Sequence, residues 1–196
     1  MKPTAMLSSR LFVFPLIAGM LFLAACGGEK SETAESEEAG EMEEAHMEEA
    51  EMARPDTTGA SVWAYLQEAE YQEHWQLWPE KGKLYTGQEP HGMLLTTYMN
   101  SAAYDALMSK AGVMPDGAII VKENYMPDST LAAVTVMYKV DGYNPDHNNW
   151  FFTKLHPDGT PFEGPMGMAM EGRLGGCQNC HGAKKDNDYI FTGALK

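Results

Sequence analysis

Two cysteines three positions apart with a histidine directly after the second, Cys177-Gln178-Asn179-Cys180-His181, constrain this chain more than any other stretch. The spacing lets both thiols attack the two vinyl groups of one haem while the imidazole takes an axial iron position. It predicts a covalent haem c site, with Cys177 and Cys180 as thioether anchors and His181 as a ligand of the iron. Two other chemistries use a CxxC pair. A zinc site needs about four ligands, and Cys26 is the only further thiol. A thioredoxin-like dithiol sits where a strand enters a helix in a βαβ unit, whereas this pair follows a Gly- and Met-rich stretch near the C-terminus.

The start of the chain reads as an export signal. Across residues 1–25, Lys2 and Arg10 supply a positive n-region and residues 11–23 a short apolar segment interrupted by Pro15 and Gly19. That segment is too short and broken for a good membrane span. Leu23-Ala24-Ala25-Cys26 resembles the bacterial lipobox, in which the cysteine is lipidated and becomes the new N-terminus; a plain secretory signal with a free Cys26 is the alternative. Gly27 stands where inner-membrane retention signals often carry Asp, which favours the outer membrane. Export agrees with the haem reading, because bacterial c-type attachment takes place outside the cytoplasm.

Residues 26–59 read as a tether. Twelve of the 28 acidic residues fall between Glu29 and Asp56, against Lys30 and Arg54 as the basic ones. With almost no large apolar side chain, the run cannot bury enough surface to offset its ordering entropy. Met42, Met47, Met52 and His46 have no ligand spacing that defines a metal site. The formal net charge of -14 is therefore concentrated here and argues against a nucleic-acid partner, which requires a basic face. Residues 60–196 remain, enough for one compact domain with one core.

Within that domain, the apolar spacing predicts a helix over residues 60–77, capped by Ser61 and ended by Pro79. Trp63, Trp75 and Trp78 would cover something large and flat, although ordinary core packing explains them as well. Residues 93–99 read as a strand, and residues 101–111 as a short helix with Asn100 or Ser101 as N-cap and Gly112 as its stop. Strands follow at 118–125, 131–140 and 150–155, the middle one with apolar residues at every even position. Strands joined by short turns predict an α+β fold: an antiparallel sheet with flanking helices, packed to one side. Residues 160–176 lack periodicity and read as a loop that wraps the haem edge and delivers the cysteine motif. Met166, Met168 and Met170 fit thioethers lining a porphyrin pocket, or an axial ligand.

Pro90-His91-Gly92, Tyr98-Met99-Asn100, Gly117-Ala118-Ile119-Ile120-Val121-Lys122-Glu123-Asn124, the strand at 134–139, Trp150 and the motif from Cys177 to His181 occur in an order that resembles cytochrome P460 domains. The resemblance covers residues 60–195. It implies an antiparallel sheet with helices, a homodimer, and a five-coordinate haem open to small nitrogen ligands. Hydroxylamine-oxidising members cross-link a lysine to the porphyrin, and Lys122 occupies the matching place. The sequence itself makes Lys122 unusual, since it interrupts an apolar run where a buried ammonium is costly. A strand-end lysine reaching solvent is the ordinary alternative.

One departure stands out. Some active members place a carboxylate over the distal pocket from the following strand, and residues 134–140 offer Thr135 and Met137 instead, with Asp141 too late in register. The resemblance thus implies a periplasm-facing protein, lipid-anchored through Cys26, that binds hydroxylamine or nitric oxide at an open iron site, oxidises it and passes electrons to a soluble cytochrome. Capture of nitric oxide without turnover is a second expectation. A third is an electron carrier whose sixth ligand is Met166, Met168, Met170 or His91, the last of which reads equally as a turn residue between Pro90 and Gly92.

Overall fold

The computed structural model describes residues 52–196. The predicted signal, Cys26 and all but the end of the acidic stretch lie outside the described residues.

Seven antiparallel strands form one sheet. In chain order they are β1 (Gln76–Leu77), β2 (Tyr85–Thr86), β3 (Leu94–Met99), β4 (Ile119–Tyr125), β5 (Leu131–Lys139), β6 (Trp150–Leu155) and β7 (Glu171–Gly172). The sheet runs β1-β3-β4-β5-β6-β7, with β2 also paired to β3. The helices are α1 (Gly59–Glu68), α2 (Tyr71–His74), α3 (Ser101–Met108) and α4 (Gly175–His181). The long strands fall where the β-branched and alternating runs predicted them.

The helices cover both faces of the sheet rather than one side. Successive residues of β4 point to opposite faces, and both sets are apolar enough to demand cover. Ile119 and Val121 pack with Val62, Tyr65 and Leu66 of α1. Ile120 packs on the other side with Ala103, Ala106 and Leu107 of α3 and with Ile190 and Leu195 near the C-terminus. The same holds for β5, where Val134, Val136 and Tyr138 join the α1 side while Met137 joins the other. A run buried on both faces loses the clean alternation of a half-exposed strand.

The helix expected over residues 60–77 is two helices and a strand. Thr58, not Ser61, caps α1, accepting a hydrogen bond from the Ser61 backbone at 3.2 Å. Glu70 then adopts a left-handed conformation (φ 43°), which interrupts the helix. Gln76 and Leu77 pair with Met99 and Tyr98 of β3, so sheet pairing overrides local helix propensity there. The three tryptophans consequently diverge: Trp75 enters the α1-side core, Trp78 the opposite one, and Trp63 is partly buried beside Gly159.

Asn100 caps α3 as expected, accepting from Ala103 N at 3.1 Å. The helix stops earlier than the glycine signal suggests, because Lys110 (φ 54°) takes the left-handed turn before Gly112.

Behind β4, on the α1 side, the Glu123 carboxylate is 1% exposed. It accepts hydrogen bonds from Tyr71 Oη (2.9 Å), Tyr125 Oη (2.6 Å) and Gln72 Nε2. Burial first, then the Glu123 charge, raises the phenol pKa of Tyr71 and Tyr98, that of Tyr98 to about 12; burial, with the Glu123 hydrogen bond and charge, raises that of Tyr125. The folded values exceed the unfolded value of about 10, so this stability is fully present below pH ~10 and is lost as pH rises through the folded values. Alkaline unfolding should therefore coincide with the ionisation of these three among the nine tyrosines. A tyrosinate absorbance that is complete near pH ~10 while far-UV circular dichroism is unchanged would contradict this.

Candidate functional site

Both cysteines of the motif lie on helix α4, directly after the stretch expected to deliver them. Three residues apart on a helix, they share one face. Cys177 is partly buried and packs into the cluster containing Met137 and Phe152, Cys180 is more exposed, and both thiols are free. The irregular stretch before them is pinned instead by β7 against β6 and by a bridge between Glu163 and Ala169.

His181 ends α4 with its ring oriented. Its Nδ1 lies 2.8 Å from the Tyr189 carbonyl oxygen. A carbonyl only accepts, so Nδ1 carries the proton and Nε2 presents a bare lone pair. Phe152 and Phe191 wall the ring at centroid distances of 5.7 and 5.4 Å. Burial, ahead of the nearby Lys122 charge, lowers the His181 pKa and keeps the imidazole neutral.

Lys122 points to this same face. It pairs in register with Thr97 on β3 and Thr135 on β5. The next row is Met99, Ile120, Met137 and Phe152, an apolar floor. Three cavities share Lys122 as a lining residue. The largest, about 410 Å³, is also lined by Cys180, His181, His91, Tyr85 and Phe191. One of about 30 Å³ adds Trp78 and Met137, and one of about 50 Å³ reaches Thr135 and Cys177. Burial lowers the Lys122 pKa, favouring the neutral, nucleophilic amine. Lys122, Cys177, Cys180 and His181 are thus brought together although they come from two distant parts of the chain.

The structure corrects some sequence expectations around this cavity. Met166 and Met168 are surface residues, 90% and 59% exposed. Met170 spends its backbone on Phe162 and Lys154, and none of the three lines the cavities beside His181. Thr135 and Met137 do face Lys122, and Asp141 points away, bonded to Asn149 and to Asp116. A carboxylate is nevertheless present, since Glu89 lines the large cavity from the loop between β2 and β3. No periodicity in that loop signalled it. His91, from the same loop, is a cavity residue and not only a turn former; burial, then the Lys122 charge, pushes its pKa down to about 4.

The segment holding the His181 ring is itself anchored by residues that sequence reasoning missed. Asp188 is buried and pairs with Lys139 on β5, whose Nζ lies 2.8 Å from both carboxylate oxygens. Asp188 Oδ2 also accepts from Met114 N (2.7 Å), Oδ1 from Asn148 Nδ2 (2.8 Å), and its carbonyl from Trp150 Nε1 (2.9 Å). Lys139 lies over the Trp150 ring at 4.8 Å. These contacts fix the backbone of Asp188 and Tyr189, both left-handed (φ 52° and 69°), and so place the carbonyl that orients His181.

Two free thiols on one helix face, an imidazole with a bare Nε2 and an adjoining cavity with an apolar floor fit a haem c. The fold and this donor set define the class: an α+β haem c protein with an antiparallel sheet. A family model described as Cytochrome P460 matches residues 69–192, and the chain belongs to the cytochrome P460 family. The family's cofactor is haem c with its iron. No curated protein matches the chain. Among the described residues, no helix is long and apolar enough to cross a membrane.

Proposed function

We propose that this protein binds hydroxylamine or nitric oxide at the iron of a haem c held by Cys177, Cys180 and His181, and that it oxidises the bound ligand. When bound, the haem supplies a redox-active iron for small nitrogen ligands. The chain's own residues do the rest. His181 offers Nε2 to the iron, its tautomer set by the Tyr189 carbonyl. Ile120, Met137 and Phe152 exclude water from the floor of the site. Glu89 and Thr135 are among the polar side chains at the cavities that can hold a proton or orient a ligand, with Tyr85, Gln88 and His91 beside Glu89.

The observation that carries the reading is Lys122, half-buried at the junction of three cavities that also touch both thiols and His181. We infer that Lys122 forms the porphyrin cross-link of the hydroxylamine-oxidising members. A cross-linked nitrogen no longer carries the ammonium charge that burial opposes. The family setting supports the further expectations that the domain works as a homodimer, hands electrons to a soluble cytochrome, and is tethered in the periplasm by a lipid on Cys26, at the outer membrane. The domain proper then spans residues 60–196, preceded by a signal at 1–25 and a tether at 26–59.

The test is the absorption spectrum of the reduced haem-loaded protein, followed by hydroxylamine turnover with a chemical oxidant. A strongly red-shifted Soret band is expected, lost together with turnover in Lys122→Met. An ordinary Soret band in the unaltered protein, with turnover absent, would replace oxidation by simple nitric oxide capture. That second reading is favoured by one observation, the Thr135 and Met137 side chains standing where a strand-borne carboxylate would be.

A further inference from the structure

We propose that His147 is a positioning residue for the haem iron: through Tyr189 it fixes the carbonyl that holds the His181 ring, and so sets how strongly His181 donates to the metal. The proposal rests on the reading that Cys177, Cys180 and His181 hold a haem. It goes beyond that reading by giving a loop outside the donor set control over the electron affinity of the iron.

The contacts form an unbroken line from loop to ligand. His147 ends a short 3₁₀ turn (Pro145–His147) between β5 and β6. Its Nδ1 lies 3.0 Å from Tyr189 Oη. The carbonyl of the same Tyr189 accepts the Nδ1 proton of His181 at 2.8 Å. A hydrogen bond to that proton raises the basicity of the other ring nitrogen, Nε2, the atom offered to iron.

Tyr189 stands where such a hold matters. Asp188 and Tyr189 are both left-handed (φ 52° and 69°). Two consecutive non-glycine residues keep that conformation only where their surroundings over-determine it. Lys139, Met114 and Asn148 pin the Asp188 side chain, and Trp150 pins its carbonyl. None of those bonds reaches the Tyr189 side chain, which is buried and whose hydroxyl meets His147. The Tyr189 carbonyl shares a planar peptide with the Ile190 amide, which donates to Asn187 O at 3.0 Å. Turning Tyr189 turns that peptide and draws the carbonyl off His181 Nδ1.

The loop that carries His147 is itself fixed to the segment before Tyr189. Asn148 Nδ2 donates to Asp188 Oδ1 at 2.8 Å, and Lys185 Nζ to Asp146 O at 3.2 Å. Asn149 N donates to Asn144 O at 2.8 Å and closes the turn. His147 is thus held against the phenol by neighbours on either side. It is half-buried, and its removal leaves the Lys139–Asp188 pair intact.

The experiment uses the full haem-loaded chain in its reduced form, reading the iron–histidine stretch by resonance Raman and the midpoint potential by titration. His147→Ala is expected to lower the stretching frequency and raise the potential, because a weaker pull on the His181 proton makes Nε2 a poorer donor. Tyr189→Phe should give the same shifts, and the double variant no more than either alone, since both remove one contact. His147→Asn, whose amide stands near the place of Nδ1, should restore most of both values. An unchanged stretch and potential in His147→Ala overturns the proposal, and so do shifts that add in the double variant. Shifts that His147→Asn fails to restore overturn it in favour of a merely structural role. Haem extracted from the denatured, unaltered chain overturns it together with the attachment site, a distinguishable failure.

Discussion

Replacing Asp188 with alanine is expected to destabilise the protein by about 3–5 kcal/mol, because it strands the Lys139 ammonium in the core. The carboxylate is fully buried and the lysine side chain is 11% exposed, so water cannot take over. The Met114 amide and Asn148 Nδ2 lose their acceptor as well. A domain's total stability is about 5–15 kcal/mol, so the variant should unfold at markedly lower urea, measured as a midpoint shift at unchanged slope. Lys139→Met combined with Asp188→Ala should recover part of the loss, since no charge is then left unpaired. A loss below about 1 kcal/mol would mean that the pair behaves like a surface ion pair.

Changing Cys177 and Cys180 together to alanine should abolish denaturation-resistant haem completely. Each thiol is proposed to form one thioether, so the single variants should each retain haem through one bond and show an altered denatured-haem spectrum. In the double variant, His181 and the cavity hold the group only reversibly, and acid extraction should remove all of it. The chain itself should still fold, because the core in which Cys177 takes part rests on Trp150, Met99 and Tyr189 rather than on the thiol. Covalent haem surviving in the double variant would move the attachment elsewhere.

The parts of the fold that could be read from sequence are those where one local signal acts alone. Residues 131–140 alternate, Asn100 caps a helix, and residues 118–125 form a β-branched run. Residues 70–77 carry two competing signals. Their helical spacing is real, but β3 offers Gln76 and Leu77 a sheet partner, and the long-range pairing wins. Covering helices on one side failed for a related reason. Ile119 and Ile120 are chemically alike, and nothing local says that each needs its own cover.

The site divides the same way. Cys177, Cys180 and His181 were legible because their spacing is the chemistry. Lys122 was legible as an ammonium out of place in an apolar run. Glu89, Tyr189 and Asp188 were not. Their roles depend on which loop closes over the cavity and on which carbonyl meets the imidazole, contacts made across 40 or more residues for Lys139 and Asp188. Methionine content misled in the opposite direction, since Met166 is apolar in composition but lies at the surface.

The tail beyond α4 gives the molecule a chronology. A chain made from its N-terminus presents both thiols and the imidazole before Tyr189 exists to orient the ring. The latch comes last: Asn187 Oδ1 accepts from Leu195 N at 2.9 Å, and Leu195 O accepts from Gly112 N at 2.6 Å. A chain stopped at residue 186 would own every atom of the attachment motif and still lack the carbonyl that orients His181 Nε2. Recognition of the motif and commissioning of the site are thus separate events along the same polypeptide, divided by the eight residues that lead from His181 to Tyr189.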